Sequence, residues 1–381
     1  MRVLYLTLNP NRASTTVPTE GWFRLLRAKG LEPVLASSQS GGFQQWTREQ
    51  GIPSYDVPLP FPSLRGLVPF GAALTRLVTI ARRHAIALIH ANEHDVYPMA
   101  QQVSRLLGLP RLASVHFTMD KGYTTWAFGG RRMPDRLYFV SRSSLDVCRP
   151  ALEGVVPDDR CAVMRNGLDL EAFTPDPERR ARSRAALGVE GVPVIGVACA
   201  LRPRKQLEHF FRAAARLDRD VRVVVAGGAV PGDEDYAARL LEQARAMLGE
   251  RLVLLGHLDE LRDFYAGLDL FVNTSREEAC SISVIESLAC GCPVVGYSSR
   301  SVDEQILPEG GEIVPQDDDV ALSQALEAWL SNPGRLSNAR AGARRQAERL
   351  FDIRVLADAL FEDYDAVLGA RRAGVRVART Q

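Results

Sequence analysis

Short apolar runs rich in β-branched residues recur along the chain, and longer stretches with helical periodicity separate them. In the first half the apolar runs are Val3–Leu8, Pro33–Ala36, Ala87–Ala91, Leu112–His116 and Leu137–Val140. In the second half they are Val194–Ala198, Val221–Ala226, Leu252–Leu255, Leu270–Asn273, Pro293–Tyr297 and Glu312–Val314. Continuous hydrophobicity is typical of strands covered on both faces, as in parallel sheets flanked by helices. The two series therefore predict two doubly wound α/β domains.

The length of the chain agrees with two domains, because 381 residues exceed what one ordinary core accommodates. The sequence Thr174-Pro175-Asp176-Pro177 interrupts the pattern between the two series. We predict an N-terminal domain over residues 1–172 and a C-terminal domain over residues 173–364, with a helix at about 365–381 that returns to the first domain. Ligands of open α/β sheets bind beyond the carboxyl ends of the strands, so we expect a binding cleft between two Rossmann-like domains.

Composition and charge narrow the class of protein. Hydrophobic residues make up 46% and charged residues 24% of a chain whose formal net charge is +1. This is globular composition without an overall field that would attract nucleic acid. The six cysteines form no CxxC pair, no signal peptide precedes the first strand, and no apolar run reaches about 18 residues. We expect a reduced, cytoplasmic protein without a membrane span.

The segment Leu270–Val295 carries the most informative chemistry. A strand ends near Asn273, a polar loop follows, and a helix begins after Ser281, which is a residue type favoured as an N-cap. Gly291 and Pro293 end this helix, and another buried strand follows at once. The start of such a helix presents unpaired backbone N–H groups and a partial positive charge. It can therefore bind a diphosphate.

Two glutamates flank this helix start. Glu278 lies just before the helix and Glu286 lies in its second turn, so both can border one pocket. A carboxylate accepts hydrogen bonds from neighbouring hydroxyls, as on a ribose or a hexose. The alternative is that Glu278 is a loop residue favoured by the helix dipole and that Glu286 is solvated. Because Ile282 and Ile285 make the helix apolar, we favour the pocket role for Glu286.

Four segments, in this order, resemble the motifs of glycosyltransferase family 4, the retaining family that includes sucrose synthase and bacterial mannosyltransferases. They are Met164–Phe173, Leu201–Lys205, Leu254–Leu258 and Leu270–Val295, within the chain from about Leu137 to Pro315. The second resembles the family's phosphate-binding Arg/Lys loop, and its lysine is one of only three in the chain. The resemblance implies the GT-B architecture, in which two Rossmann-like domains face a cleft.

The resemblance also implies three catalytic residues. Lys205 would neutralise the donor diphosphate and stabilise the departing nucleotide. Glu278 would bind the donor sugar. His116, at the end of a predicted strand, would lie near the reacting carbon, although a hydrogen-bonded histidine at a strand end is the structural alternative.

Six further residues are implied in donor binding. They are Arg202, Leu258, Ala279, Cys280, Ser281 and Glu286. The arginine would assist the lysine at the diphosphate, and the leucine would contact the base through its backbone. The backbone of residues 279–281 would meet the phosphates or the sugar, and the glutamate would bind the ribose hydroxyls.

The sequence departs from the family pattern at three places. The Gly-x-Gly that follows the first signature glutamate is Ala279-Cys280-Ser281, whose Cβ atoms limit φ and the approach of a phosphate. The glycine pair after the first strand is Ala13-Ser14, and the arginine before the lysine loop is Ala200. The base and sugar of the donor stay open. Family frequency makes a UDP-sugar the first choice and a GDP-sugar the second.

Two clusters match metal-binding patterns but have simpler interpretations. His90, Glu93 and His94 lie at the end of a predicted strand, and we interpret them as cleft lining or an acceptor contact. Residues 233–235, Asp-Glu-Asp, read as acidic residues that open a helix near Tyr236. The resemblance implies chemistry without a metal, so we expect neither a metal nor a cofactor.

The predicted partners are a nucleotide-sugar donor and a small-molecule, glycan or lipid-linked acceptor, and no nucleic acid. Leu64–Ile80 is amphipathic and basic, so it either packs on its own sheet or makes a weak, peripheral contact with the cytoplasmic membrane surface. Two other functions stay open. One is a GT-B-fold sugar-nucleotide epimerase or phosphorylase; an epimerase would need additional acid/base carboxylates. The other is a non-catalytic sugar-nucleotide-binding protein, which the three departures would suit.

Overall fold

The computed structural model describes residues 1–11, 16–63 and 66–372, and the chain divides into two compact units. The first unit comprises Met1–Gly167 and the chain from Ile353 onward, and the second comprises Leu168–Asp352. The structure thus places the borders at 167/168 and 352/353, before the predicted 172/173 and about 365. The reason is packing. A Cβ atom on Gly167 would lie 2.8 Å from the Cα atom of Ile353, so the return to the first unit begins at Ile353.

The first unit contains a parallel seven-stranded sheet with the order β3-β2-β1-β4-β5-β6-β7. Its strands are β1 (Arg2–Thr7), β2 (Glu32–Ser37), β3 (Ser54–Asp56), β4 (Leu88–Ala91), β5 (Arg111–Val115), β6 (Arg136–Phe139) and β7 (Cys161–Val163). Five of them were predicted from apolar runs. The two that were not, β3 and β7, are half-buried edge strands of three residues each.

Helices cover both faces of this sheet. They are α1 (Val17–Ala28), α2 (Gly42–Glu49), α3 (Leu67–Arg83), α4 (Tyr97–Leu107), α5 (Lys121–Phe128), α6 (Arg142–Leu152) and, after the second unit, α15 (Ile353–Arg372). Because successive side chains of a strand point to opposite faces, β1 contributes Leu4 and Leu6 to one core and Val3 and Tyr5 to the other. Helix α15 supplies Tyr364 to the second of these cores.

The second unit contains a parallel six-stranded sheet with the order β10-β9-β8-β11-β12-β13. The strands are β8 (Val194–Ala198), β9 (Arg222–Ala226), β10 (Leu252–Gly256), β11 (Leu270–Asn273), β12 (Val294–Tyr297) and β13 (Gly311–Val314). The helices are α7 (Pro177–Ala186), α8 (Leu207–Ala215), α9 (Glu234–Leu248), α10 (Arg262–Gly267), α11 (Ile282–Ala289), α12 (Ser301–Gln305), α13 (Asp319–Leu330) and α14 (Pro333–Phe351). The prediction of two doubly wound α/β domains is confirmed.

The strand order creates a switch point in each sheet. In the second unit β8 and β11 are neighbours, but the chain continues from β8 to one side of the sheet and from β11 to the other. The loops that follow these two strands therefore separate and leave a crevice at the carboxyl edge, which is where α/β sheets bind ligands. The first unit has the equivalent point between β1 and β4. Within the described ranges, no helix combines the length and the apolarity that crossing a membrane requires.

Candidate functional site

Lys205, predicted at the diphosphate, and Glu278, predicted at the donor sugar, lie on the two loops of the switch point in the second unit. Lys205 ends a 3-10 turn after β8, and Glu278 lies on the loop between β11 and α11. The residue that follows the lysine, Gln206, has a φ of +48°, which turns the chain into α8. A small cavity between the two strand ends is lined by side chains from both loops, including Lys205, Asn273 and Ser283.

The ammonium of Lys205 forms an ion pair with the carboxylate of Glu278. Both side chains are largely buried, with 13% and 9% exposed respectively. The main chain on each side is also held. Thr274 Oγ1 donates to the carbonyl oxygen of Lys205 at 2.9 Å, and Ser301 Oγ donates to that of Glu278 at 2.6 Å. The structure therefore brings two of the three predicted catalytic residues into direct contact.

The start of α11 keeps its first-turn amides free of a capping side chain. Ser281 is the N-cap, but its side chain accepts no hydrogen bond from the helix backbone. Its hydroxyl instead contacts Asn273 Nδ2 at 3.3 Å and Ser283 Oγ at 3.2 Å. Because the first N–H groups of a helix have no partner within the helix, those of Ile282 and Ser283 remain for a ligand.

The expectation for Ser281 itself needs a correction. Its backbone N–H was predicted to meet the phosphates or the sugar, but it donates to Oε1 of Gln305 at 2.9 Å. Ala279 and Cys280 lie on the predicted loop, where Cys280 is buried. Because the N–H of Ser281 is used by Gln305, the first amide of α11 that stays open to a ligand is that of Ile282.

Glu286 is buried in the second turn of α11, with 9% of the residue exposed. Tyr265, fully buried on α10, donates its hydroxyl to Glu286 Oε2 at 2.8 Å. Burial raises the pKa of Glu286 to about 7, and the tyrosine hydrogen bond opposes that rise. Within the described part of the chain, Oε1 has no hydrogen-bond partner. The solvated alternative is excluded, and one oxygen of a buried carboxylate is left open.

Arg202 directly precedes the 3-10 turn that Lys205 ends, and Leu258 follows the edge strand β10 of the same sheet. Arg202 Nε is 3.4 Å from Asp233 Oδ2, and Asp233 precedes α9, whose first turn holds the acidic residues predicted to open a helix. Leu258 is half-buried in the loop after β10. An open, mainly apolar pocket of about 360 Å³ lies beside that strand, between Leu254 and the α9 residue Leu241.

His116 belongs to the first unit and directly follows β5. The ring is buried, and its Nε2 donates to the carbonyl oxygen of Asn92 at 2.9 Å. Burial lowers the pKa of His116 to about 4, so the ring is neutral near pH 7 and its other nitrogen, Nδ1, carries the lone pair. This geometry confirms the hydrogen-bonded alternative, and the catalytic role of His116 stays a prediction.

His90, within β4, and Glu93, just after it, make different contacts. His90 is fixed at both ring nitrogens, by Tyr364 and by Ser114. Glu93 accepts hydrogen bonds from Thr7 Oγ1 at 2.7 Å and from the backbone N–H of Leu8 at 3.1 Å. It therefore ties the end of β1 to the end of β4 at the switch point of the first unit.

His94 is buried, and its Nδ1 has no hydrogen-bond partner in the described structure. Among the residues that the structure describes, no three His, Cys, Asp or Glu side chains are grouped so that they could hold a metal ion. The residues Ala13-Ser14 lie outside the described residues. Ala200 lies between β8 and the 3-10 turn of Lys205.

Three residues of this region were not found from the sequence: Tyr265, Ser301 and Gln305. The first contacts Glu286, and the other two contact the loop before α11. Their contacts join residues 21 to 24 positions apart in the chain. Ser301 and Gln305 are four residues apart, so the sequence could show that they share one face of a helix. This spacing alone does not indicate a binding site.

Known proteins resemble this chain in sequence and in fold. Residues 179–347, within the second unit, match the family model "Glycosyl transferases group 1". The lipopolysaccharide core biosynthesis mannosyltransferase LpcC of Rhizobium leguminosarum bv. viciae is 27% identical over 338 residues, which cover 87% of this chain and 90% of LpcC. A GDP-mannose-dependent alpha-(1-6)-phosphatidylinositol monomannoside mannosyltransferase of Mycolicibacterium smegmatis is 31% identical, but the match covers 44% of this chain and 47% of that protein.

Solved structures show the same fold. The Anabaena protein HepE, whose crystal structure contains UDP and glucose, superposes with a TM-score of 0.84 at 20% identity, over 96% of this chain and all of that one. The predicted GT-B fold, with two Rossmann-like domains, is confirmed. Together, the sequence similarities support a glycosyltransferase.

Proposed function

We propose that the chain transfers a sugar from a nucleoside-diphosphate donor with retention of anomeric configuration, and that it holds the donor diphosphate at the start of α11. One arrangement carries the proposal. The switch point combines first-turn amides without a capping side chain, a largely buried lysine and a buried carboxylate with one free oxygen. These groups match a diphosphate and a neighbouring ribose in charge and hydrogen bonding.

In the proposed reaction the bond between the anomeric carbon and the diphosphate breaks, and negative charge builds on the leaving nucleotide. Lys205 and the amides of Ile282 and Ser283 are preorganised to stabilise that charge. We propose that they suffice without a metal ion, with Arg202 as a second cation. The acceptor hydroxyl attacks from the face that the nucleotide leaves, so the configuration is retained, and its proton passes to the leaving diphosphate.

The ion pair between Lys205 and Glu278 bears directly on donor binding. An ammonium has three donors, so it can bind a phosphate oxygen while it keeps the carboxylate. We propose that Glu278 holds Lys205 in place and binds the sugar hydroxyls with its remaining acceptor capacity. His116, neutral at the pH of the reaction because its pKa is about 4, is proposed to act as an uncharged hydrogen-bonding group near the reacting carbon.

The base of the donor is proposed to be uracil first and guanine second. HepE was solved with UDP and glucose, whereas the mycobacterial relative is named for GDP-mannose. The pocket beside Leu254 and the backbone of Leu258 are proposed to receive the base. The acceptor is proposed to be a glycan or a lipid-linked sugar, as the names of the two mannosyltransferases suggest.

A peripheral membrane contact is proposed for the start of α3. The prediction that this helix packs on its own sheet is confirmed, because Ala73, Leu77 and Ile80 are buried in the core. Its first residues, Leu67 and Val68, are nevertheless 63% and 83% exposed, and exposed arginines follow along the helix. Apolar side chains beside cations are typical of a segment that touches an anionic bilayer. Leu64 and Arg65 lie outside the described residues.

The decisive experiment has two stages. Thermal unfolding with UDP, GDP, ADP and their sugars should show stabilisation by one nucleotide family, because a ligand bound only by the native state must stabilise it. The donor so identified is then incubated with an acceptor panel, and the product linkage is read by NMR. Inverted configuration would refute retention. An epimerised donor formed without acceptor would favour an epimerase, and tight binding without turnover would favour a binding protein.

A further inference from the structure

Helix α12 holds both ends of the loop that precedes α11. At one end Ser301 Oγ donates to the carbonyl oxygen of Glu278 at 2.6 Å. At the other end the side chain of Gln305 binds the backbone of Ser281. Residues four apart lie on the same face of a helix, so Ser301 and Gln305 face the loop together. Both are almost completely buried.

The amide of Gln305 makes two opposite hydrogen bonds with one residue. Oε1 accepts from the backbone N–H of Ser281 at 2.9 Å, and Nε2 donates to the carbonyl oxygen of Ser281 at 3.1 Å. A carboxamide offers an acceptor and a donor in one plane at every pH, whereas a carboxyl of the same length does so only when it is protonated. Nε2 also lies 3.6 Å from Cys280 Sγ. The peptide groups on both sides of Ser281 are thereby fixed.

The second of these peptide groups matters for the donor. The carbonyl of Ser281 and the N–H of Ile282 belong to one planar unit and point in opposite directions. A donor that fixes the carbonyl therefore fixes the direction of the Ile282 N–H, which is the first amide of α11 open to a ligand. Gln305 contacts the side of this peptide that faces away from the proposed diphosphate.

The helix that carries Gln305 is itself held firmly. Gln346, fully buried on α14, donates to the carbonyl oxygen of Gln305, and its Oε1 accepts from the N–H of Leu307 at 3.1 Å. Arg300, which precedes α12, has a φ of +41°. Such a conformation is strained for a residue with a Cβ atom and persists only where the surroundings impose it.

We infer that Gln305 is a positioning residue for the donor: it aims the Ile282 N–H at the diphosphate through the Ser281–Ile282 peptide. The inference rests on the proposed function. It also accounts for the loop sequence Ala279-Cys280-Ser281. A segment with Cβ atoms at all three positions cannot adapt its backbone as glycines would, and α12 holds it in one conformation.

The test is the isosteric variant Gln305→Glu. Its carboxylate still accepts from the N–H of Ser281 but places a second oxygen against the carbonyl oxygen of Ser281. We expect UDP, or GDP if UDP does not bind, to bind at least about tenfold more weakly at pH 8, a loss of about 1.4 kcal/mol. Protonation of the new carboxyl restores a donor. The ratio of variant to wild-type affinity should therefore recover as the pH is lowered to about 5.5, which a purely structural defect would not do.

Ser287→Ala is the matched control. Ser287 is also fully buried, and its hydroxyl donates to the carbonyl oxygen of Cys292 at 2.9 Å, at the other end of α11. This variant should lose thermal stability but keep the wild-type dissociation constant. If Ser287→Ala binds the nucleotide as weakly as Gln305→Glu, the weaker binding does not come from a changed direction of the Ile282 N–H, and the inference is wrong.

The remaining outcomes separate the inference from the proposed function. Wild-type protein that binds none of UDP, GDP and ADP contradicts the proposed function. Wild-type protein that binds, together with a folded Gln305→Glu variant of equal affinity at pH 8, contradicts the inference. If circular dichroism shows that Gln305→Glu does not fold, Gln305→Ala decides, because it removes both hydrogen bonds to Ser281 without adding a charge. We expect threefold to tenfold weaker binding, roughly 0.7–1.4 kcal/mol, and unchanged binding would overturn the inference.

Discussion

Lys205 is paired with Glu278, so two residues predicted to act on different parts of the donor neutralise each other in the structure. Replacing Lys205 with alanine removes the cation proposed at the diphosphate and leaves a buried carboxylate alone. We expect turnover to fall about 10²–10³-fold and the free energy of unfolding to fall by roughly 3 kcal/mol. Steady-state kinetics and urea unfolding measure the two effects.

A second substitution separates the two roles of the lysine. Adding Glu278→Gln to Lys205→Ala removes the unpaired charge, so it should recover part of the stability but none of the activity. Lys29→Ala is the control, because Lys29 pairs with Asp358 on an exposed surface, where such pairs contribute about 1 kcal/mol or less. Wild-type turnover in Lys205→Ala would contradict the assignment of the site.

The buried carboxyl of Glu286 should make the nucleotide affinity depend on pH. Its pKa is about 7, and the ionised form is the one that accepts hydrogen bonds from two ribose hydroxyls. We therefore expect the dissociation constant to rise roughly tenfold from pH 8 to pH 6. Isothermal titration calorimetry in buffers of different ionisation enthalpy should also show proton release on binding below pH 7. Glu286→Gln should bind weakly at every pH.

The same carboxyl should also make the free energy of unfolding depend on pH. The dependence is opposite to that of an ion-paired surface carboxylate, which loses its contribution as the pH falls. Burial raises the pKa of Glu286 from 4.5 to about 7, so the folded state binds the proton more tightly than the unfolded state. Its contribution to stability is therefore lost as the pH rises from about 4.5 to about 7. Above pH 7, Glu286→Gln should be more stable than the wild type. An equal pH slope in both proteins would contradict the raised pKa.

Tyr265→Phe should move the pH midpoint without removing the carboxylate. The hydroxyl of Tyr265 is the hydrogen bond that lowers the pKa of Glu286, so its loss should raise that pKa and shift the affinity profile to higher pH. Tyr297→Phe is the control, because this tyrosine is equally buried and its hydroxyl lies 3.2 Å from His209. Profiles that coincide for both variants would show that Tyr265 does not tune Glu286.

His116 is predicted to act as a neutral group. Since burial holds its pKa at about 4, its imidazole signals in NMR should not titrate between pH 5.5 and 8. His116→Ala should reduce turnover at least about tenfold, and the loss should be independent of pH over that range. His84→Ala, at the end of α3 and hydrogen-bonded to Tyr55, serves as the control. A titration of His116 near pH 6.5 would refute this assignment.

The proposed membrane contact can be tested with vesicles. Leu67→Ser together with Val68→Ser should reduce sedimentation with phosphatidylcholine–phosphatidylglycerol vesicles, and pure phosphatidylcholine should bind the wild type more weakly because the arginines of α3 then lack anionic partners. Val355→Ser is the control, since Val355 is 64% exposed on another helix. Equal sedimentation of all three proteins would argue against the contact.

The fold was predictable because its strands are covered on both faces. Val194–Ala198 and Leu270–Asn273 form strands over the same residues as their apolar runs. The missed strands β3 and β7 are half-buried edge strands of only three residues each: β3 is Ser-Tyr-Asp, and the apolar run of β7 is too short to stand out. Hydrophobicity therefore revealed the strands of four or more residues, including the edge strands β10 and β13, but not the three-residue edge strands.

The candidate site was predictable only where local sequence carries chemistry. Ser281 and Gly291 mark the two ends of a helix in any context, and Lys205 stands out because lysine is so rare in this chain. The bond from Tyr265 to Glu286 and the amide of Gln305 depend on how distant segments pack, which a single sequence does not encode in readable form. Ser281 is the N-cap as predicted, but its hydroxyl contacts Asn273 and Ser283 instead of the helix backbone, and nothing in the sequence indicated these contacts.

Because Gly167 and Ile353 are in contact, the second unit is an insertion at a single point of the first unit. The chain departs from the first unit and re-enters it at touching residues, and the inserted stretch is closed by its own bridge between Leu168 and Asp352. A direct peptide link from residue 167 to residue 353 would leave the first sheet and its last helix intact. We therefore expect the core of the first unit to stay intact when the second unit is exchanged at this one junction.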